Sequence, residues 1–250
     1  MMRRMAACIG IALIFFLPSP VLAGPDWFLD FEAGGVLLGY NDVRVPNEGG
    51  TLFSLRDDLE PDPAAALRIR FGLRTGRHSL SLFGAPLTVK ASGSVPDPLV
   101  FFEESFPGGA PLKAAYTFNS WRATYRYTLV DGERWTLGIG FTAKIRDAVI
   151  RVEGAGKTSE KTNVGFVPLI NFQVRWSFQP RWSLLLEGDA LASPGGQGRA
   201  EDILLALDHR LNSHLSLRAG YRLIEGGADV AEVYNFAWIN LFTIGARFSF

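Results

Sequence analysis

The chain is nearly devoid of cysteine, poor in histidine, and without long apolar runs. One cysteine in 250 residues, Cys8, excludes a disulfide framework. Only His78, His209 and His214 could serve as imidazole bases or ligands. Neither charge dominates: Lys+Arg and Asp+Glu are 25 each, so no basic excess points to nucleic acid and no acidic run suggests a solvating tail. Past residue 24 no apolar stretch approaches the ~18 residues of a spanning helix; Ile203–Leu207 is among the longest. What is present is 48% apolar residues, 12% aromatics and 27 glycines, which is not the composition of a disordered chain.

The first 23 residues read as an export signal. Arg3 and Arg4 form a positive n-region, Ala6–Leu17 an apolar h-region, and Pro18 and Pro20 end it. Val21-Leu22-Ala23 supplies small residues before Gly24, the expected cleavage point. The apolar segment is too short for a retained anchor, and Cys8 lies on the wrong side of it for a lipoprotein signal. Removal leaves 227 residues, residues 24–250, with no cysteine and 23 Lys+Arg against 25 Asp+Glu, a net charge of −2. A cysteine-free exported chain suits an oxidising compartment.

The remainder alternates with period 2. From Trp135 to Ile145 one face is Trp135, Leu137, Ile139, Phe141, Ala143 and Ile145; the other carries Thr136, Gly138, Gly140, Thr142 and Lys144. Ten such segments fall at 26–42, 64–74, 79–92, 113–129, 135–152, 163–178, 182–192, 200–211, 214–225 and 232–250. Short connections alternate with longer ones at 43–63, 93–112, 153–162, 193–199 and 226–231. That pattern predicts an all-β, antiparallel up-and-down transmembrane barrel of about ten strands, with tight periplasmic turns and longer external loops. An even strand count places both termini in the periplasm. Ten residues tilted about 45° rise roughly 23 Å, near the ~25 Å apolar band. Trp27, Tyr125, Tyr127, Trp135, Trp176, Phe178 and Trp182 gather beside the short turns, where an interfacial aromatic girdle belongs.

The signal, the alternation and the terminal Ala246-Arg247-Phe248-Ser249-Phe250 resemble the small outer-membrane β-barrel proteins of Gram-negative bacteria. The resemblance implies an integral outer-membrane location and contact with outer-membrane lipid and lipopolysaccharide. It further implies reading of Phe248 and Phe250 by the barrel-assembly machinery. It implies no activity, since such barrels include adhesins, proteases, lipid-modifying enzymes, narrow channels and inert anchors.

Residues suited to catalysis are few. Hydrolases of that group use a histidine near the external rim, whereas His78, His209 and His214 all lie in or beside short turns. Asp208 and His209 are adjacent on one strand and so point to opposite faces. Gly154-Ala-Gly-Lys-Thr158 has the ending of a phosphate-binding loop but Arg151 where a glycine is needed, and a strand follows instead of a helix. The expectation is therefore no enzyme, no cofactor, no metal centre and a monomer. The inward face carries Arg68, Arg70, Arg122, Arg126, Lys144, Arg146, Arg175, Arg210, Arg218, Arg222 and Arg247, against Asp30, Glu32, Glu187, Asp189, Asp202 and Asp208, eleven basic to six acidic. In a barrel of about ten strands these fill the lumen. The predicted role is structural or surface-interacting; the alternatives are a narrow channel for small anionic solutes and, less favoured, a rim-located enzyme acting on lipid or peptide. Loop 43–63 is acidic (Glu48, Asp57, Asp58, Glu60, Asp62) and reads as solvated rather than Ca²⁺-binding. Loop 93–112 holds the apolar Leu99–Phe102 and Phe106, as an extension or plug.

Intact-mass measurement on membrane-extracted protein is expected to give a chain beginning at Gly24; a mature chain retaining Met1 would refute the assignment of the signal.

Overall fold

A computed structural model describes residues 24–193 and 195–250. The expected export signal over residues 1–23, and Pro194 of the Pro194–Gly198 loop, lie outside the described residues. Fifteen strands follow in order: β1 (Asp26–Arg44), β2 (Phe53–Ser54), β3 (Leu59–Pro61), β4 (Ala64–Thr75), β5 (His78–Ala85), β6 (Thr88–Gly93), β7 (Leu99–Phe101), β8 (Glu104–Phe106), β9 (Leu112–Asp131), β10 (Trp135–Gly154), β11 (Lys157–Gln179), β12 (Trp182–Ala192), β13 (Gly198–Arg210), β14 (Leu215–Val230) and β15 (Val233–Ser249).

Ten wall positions close into an antiparallel ring. β1 pairs with β4, β4 with β5, β5 with β9, and each later strand with its neighbour until β15 returns to β1. The closing seam runs from Phe28↔Ser249 to Arg44↔Tyr234 and leaves no edge between the terminal strands. The expected segment 79–92 is one wall position made of two strands. Pro86 lacks the N–H that a ladder needs, so β5 ends at Ala85 and β6 resumes at Thr88, with β9 spanning both. Beyond the break β6 is covered on its free side by β3 from the preceding loop.

Two connections expected to be long are two-residue turns. β10 and β11 stay paired from Trp135↔Trp176 out to Gly154↔Lys157. Ala155 (φ +48°) and Gly156 (φ +76°) both take the left-handed region demanded by the tightest hairpin turns. β14 and β15 likewise remain paired out to Val230↔Val233. The polar run Lys157–Thr162 reads as loop in the sequence because these strand ends project past the apolar band and need no apolar face. The genuinely long connections are 45–63 and 94–111.

The period-2 pattern sorts the faces. On β15, Phe242 and Ile244 are 63% and 69% exposed, while Leu241 and Thr243, which alternate with them, are buried. On β12 Leu184 is exposed and Leu185 is buried in a small cluster with Leu204 and Ala206. An outward belt of large apolar side chains surrounds the barrel, as lipid contact requires.

The interior has two layers. Toward the long loops it is an apolar core: Leu38, Val43, Ile150, Val152, Ile239 and Leu241 from the wall pack with Val45, Phe53, Leu55 and Leu59 of the first long connection. The β7–β8 hairpin turns Leu99, Phe101 and Phe106 into that core, all fully buried. Phe102 N–H donates to Val45 C=O (2.7 Å) and Thr51 N–H to Val100 C=O (2.9 Å), tying the two loops together. Toward the short turns the interior is polar and opens into a water-accessible vestibule of about 810 Å³.

Adjacent positions on β5 test the facing directly. Leu82 is 64% exposed and Ser81 lines the vestibule. Leu82→Arg is expected to cost about 2–4 kcal/mol of folding free energy in lipid bilayers, the usual cost of a lipid-facing arginine near mid-membrane, and Ser81→Arg much less. Urea titration of the refolded proteins measures both, and the reverse ranking would invert the assignment.

Candidate functional site in the lumen

Barrel strands alternate, and the closed ring brings charged side chains of distant strands within reach of one another. Asp202 on β13 is the centre. Its Oδ2 accepts from Arg68 Nη2 (2.5 Å) and Arg122 Nη2 (2.5 Å), and its Oδ1 from Arg222 Nη1 (2.5 Å). Glu32 on β1 receives Arg222 in a bidentate pair, Nε at 2.7 Å and Nη2 at 2.8 Å, with Arg68 Nε at 3.4 Å. Asp189 on β12 accepts from Arg122 Nη1 (2.7 Å), Thr142 Oγ1 (2.6 Å) and Asn171 Nδ2 (2.7 Å).

A second group lies beside the vestibule. Glu187 pairs with Arg70 (2.9 Å) and Arg126 (3.5 Å). Asp30 accepts from Arg218 (2.5 Å), with Arg247 and Arg70 at 3.7 and 3.9 Å. Asp208 takes a hydrogen bond from Arg175 and lies 4.0 Å from Arg218. Asn171 joins the two groups: its Oδ1 accepts from Arg126 Nε (2.7 Å) while its Nδ2 serves Asp189. The guanidinium forks suit this sharing, because each presents several donors in one plane.

Eight arginines and six carboxylates thus meet in one network. Three sequence-expected members do not. Arg210 is exposed at the short-turn rim and donates to Pro180 C=O (2.6 Å). Lys144 and Arg146 line a separate crevice and pair with none of these carboxylates; Arg146 bonds Asn163. Other participants were not singled out by sequence reasoning. Asn171, Thr142, Ser120 and Ser183 are uncharged, yet they satisfy Arg126, Asp189, Arg122 and Arg175. Their place on the polar face of alternating strands was the available signal. Phe83 breaks the pattern. It is an aromatic on the inward side of β5, and Arg68, Arg70 and Arg122 lie 4.8, 5.5 and 4.9 Å from its ring centre. Its alternation with Ser79 and Ser81 would have revealed it.

The aromatics named from sequence cluster at the short-turn end. Trp135 stacks on Trp176 (5.9 Å), Trp176 abuts Phe178 (5.5 Å), and Trp27 stacks on Phe71 (5.3 Å). Tyr125 Oη is 2.8 Å from His78 Nδ1, and the Tyr127 ring is 5.1 Å from the His78 ring. Trp182 packs on His209 at 4.1 Å, on the opposite face of β13 from Asp208, so these two cannot act together. Phe248 and Phe250 are exposed beside the closing seam. Among the described residues no three His, Cys, Asp or Glu side chains converge as a metal site, the acidic loop included.

No protein-family model matches the chain, and no curated protein matches it. Solved structures do. The chain is similar to the outer membrane protease OmpT of Escherichia coli, at 9% identity over 93% of this chain and 99% of that one, with a TM-score of 0.58. It also matches Neisserial surface protein A (14% identity, 92% and 100% coverage, TM-score 0.37) and the attachment invasion locus protein Ail of Yersinia pestis (8%, 90% and 99%, TM-score 0.39). At this identity the likeness to OmpT is one of fold. The chain has the closed ten-position barrel of outer-membrane β-barrel proteins.

Removing one partner from a buried ion pair strands the other charge at about 3–5 kcal/mol. Asp202→Asn leaves three arginines sharing a neutral amide, so a loss of that order is expected in the urea unfolding midpoint. Glu153→Gln in the exposed Arg151–Glu153 pair is expected to cost less than about 1 kcal/mol.

Proposed function

We propose that the protein is an integral outer-membrane barrel, sealed against solute flow, that acts by presenting its long-loop end rather than by conduction or catalysis. The observation that carries this reading is the pair of barriers in series. The Arg–carboxylate network crosses the lumen, and the apolar core of the folded long loops lies beyond it. An ion entering from the vestibule would have to break buried, multiply bonded pairs and then pass the apolar core packed by the folded long loops. Both termini and the short turns belong in the periplasm on this reading, with lipid and lipopolysaccharide around the belt. The terminal Phe248 and Phe250 serve assembly, and the working unit is a monomer.

A non-catalytic role is supported by the histidines, all at the short-turn end, and by the splitting of Asp208 from His209 across β13. A second reading, a narrow path for anions, draws on the arginine-rich vestibule, where Arg70, Arg126, Arg175 and Arg247 keep partial access to water.

Planar-bilayer recording separates them. The sealed barrel is expected to give no steady current. A large stable anion-selective current, abolished by Arg122→Gln with Arg126→Gln, would replace the sealed barrel with the channel.

A further inference from the structure

The lumen contains more cations than carboxylates, and the surplus is not spread evenly. Lys144 and Arg146 occupy successive inward positions of β10, and both line a separate crevice of about 310 Å³ on the long-loop side of the network. Lys144 is only 3% exposed, yet no carboxylate lies within 4.0 Å of its ammonium among the described residues. Its Nζ lies 4.7 Å from the centre of the Phe118 ring. Arg146 reaches only the neutral Asn163, and its Nε is buried without a partner. The one carboxylate bordering the crevice, Glu225, is already engaged by Arg199 (2.7 and 2.9 Å) and by Tyr40.

Apart from this cationic floor the crevice is walled mostly by carbon: Tyr116, Phe118, Val167, Ile224 and Ile239. It reaches the connection between β12 and β13, where Ser193 and Gln197 line it. A cation without an ion-pair partner gains from a bound anion, and the carboxylate-paired arginines below lie on the other side of this crevice. A sugar or phosphate would leave its polar atoms facing the apolar walls without partners. A neutral apolar molecule would leave Lys144 unanswered. The volume lies at the small end of the ~300–1,000 Å³ typical of small-molecule sites, too little for a two-chain lipid.

We propose that this crevice binds a single-chain alkyl carboxylate of medium length, with its headgroup on Lys144 and Arg146 and its chain along Phe118, Ile224 and Ile239. This goes beyond the sealed barrel: the ligand enters and leaves by the same end and need not cross the lumen.

The test uses the mature chain in phospholipid nanodiscs, with empty discs as the baseline, and carboxyl-¹³C decanoate as the probe. Saturable binding in excess of the empty discs is expected. Decanol, lacking the charge, and acetate, lacking the chain, are each expected to bind about ten-fold or more weakly. Lys144→Met removes the charge at similar length and is expected to weaken decanoate about ten-fold or more while far-UV circular dichroism stays unchanged. Ala148→Phe fills the crevice from the next inward position and is expected to abolish binding. Arg146→Gln carries the charge test should Lys144→Met fail to fold. Equal binding by Lys144→Met or by decanol, equal binding of acetate, or no saturable signal beyond empty discs would each overturn the proposal. None of these results bears on conductance, so the sealed lumen stands or falls separately.

Discussion

The structure depends on one constraint: an arginine inside a barrel cannot shed its charge, so it must be met. Three arginines from β4, β9 and β14 meet Asp202 on β13, and the same Arg122 and Arg222 reach on to Asp189 on β12 and Glu32 on β1. These bonds brace walls that are far apart around the ring. They also fix register. Sliding one strand by one residue would turn its arginines toward lipid and its leucines toward the carboxylates, a double penalty that ladder hydrogen bonds alone would not impose. Neutral Asn171, Thr142 and Ser120 join the arrangement by bonding Arg126, Asp189 and Arg122.

The second layer follows from where the strands stop being membrane strands. β10 and β11 continue well past the apolar belt, to Gly154 and Lys157. Above the belt the outer face meets water and can be polar, as at Thr158 and Glu160, so inward positions such as Ile150 and Val152 are free to build a core of the soluble kind. The long connections supply its other half. Leu55, Leu99, Phe101 and Phe106 fill the space that the ring of strands encloses, which is why an apolar run in an external loop is buried here and not displayed.

The barrel itself was legible in the sequence, because period 2 is a property of each strand by itself. The ten wall positions follow from it. Three things were not legible. Pro86 divides a segment whose alternation continues on both sides, so the break is visible only in the pairing of β3 with β6. The tight turns at Ala155-Gly156 and after Val230 were concealed by polar strand ends. The partner of each arginine was not legible either, since pairings such as Arg68–Asp202 join residues 134 apart in sequence and depend on ring closure.

The uneven placement of positive charge is the last consequence of these two layers. Eight arginines against six carboxylates leave the network itself positive, and the excess falls on its wet side: Arg70, Arg126, Arg175 and Arg247 are the members with appreciable exposure, and each lines the vestibule. Water there screens what the carboxylates do not neutralise. Arg68, Arg122 and Arg222, deeper and nearly dry, take the closest and most numerous carboxylate contacts. Lys144 and the half-buried Arg146 fit neither rule: Lys144 is as buried as the paired arginines, yet both line an apolar crevice and pair with no carboxylate. A carbon-walled crevice holding two cations that no carboxylate pairs suits a ligand with one anionic end and an apolar chain.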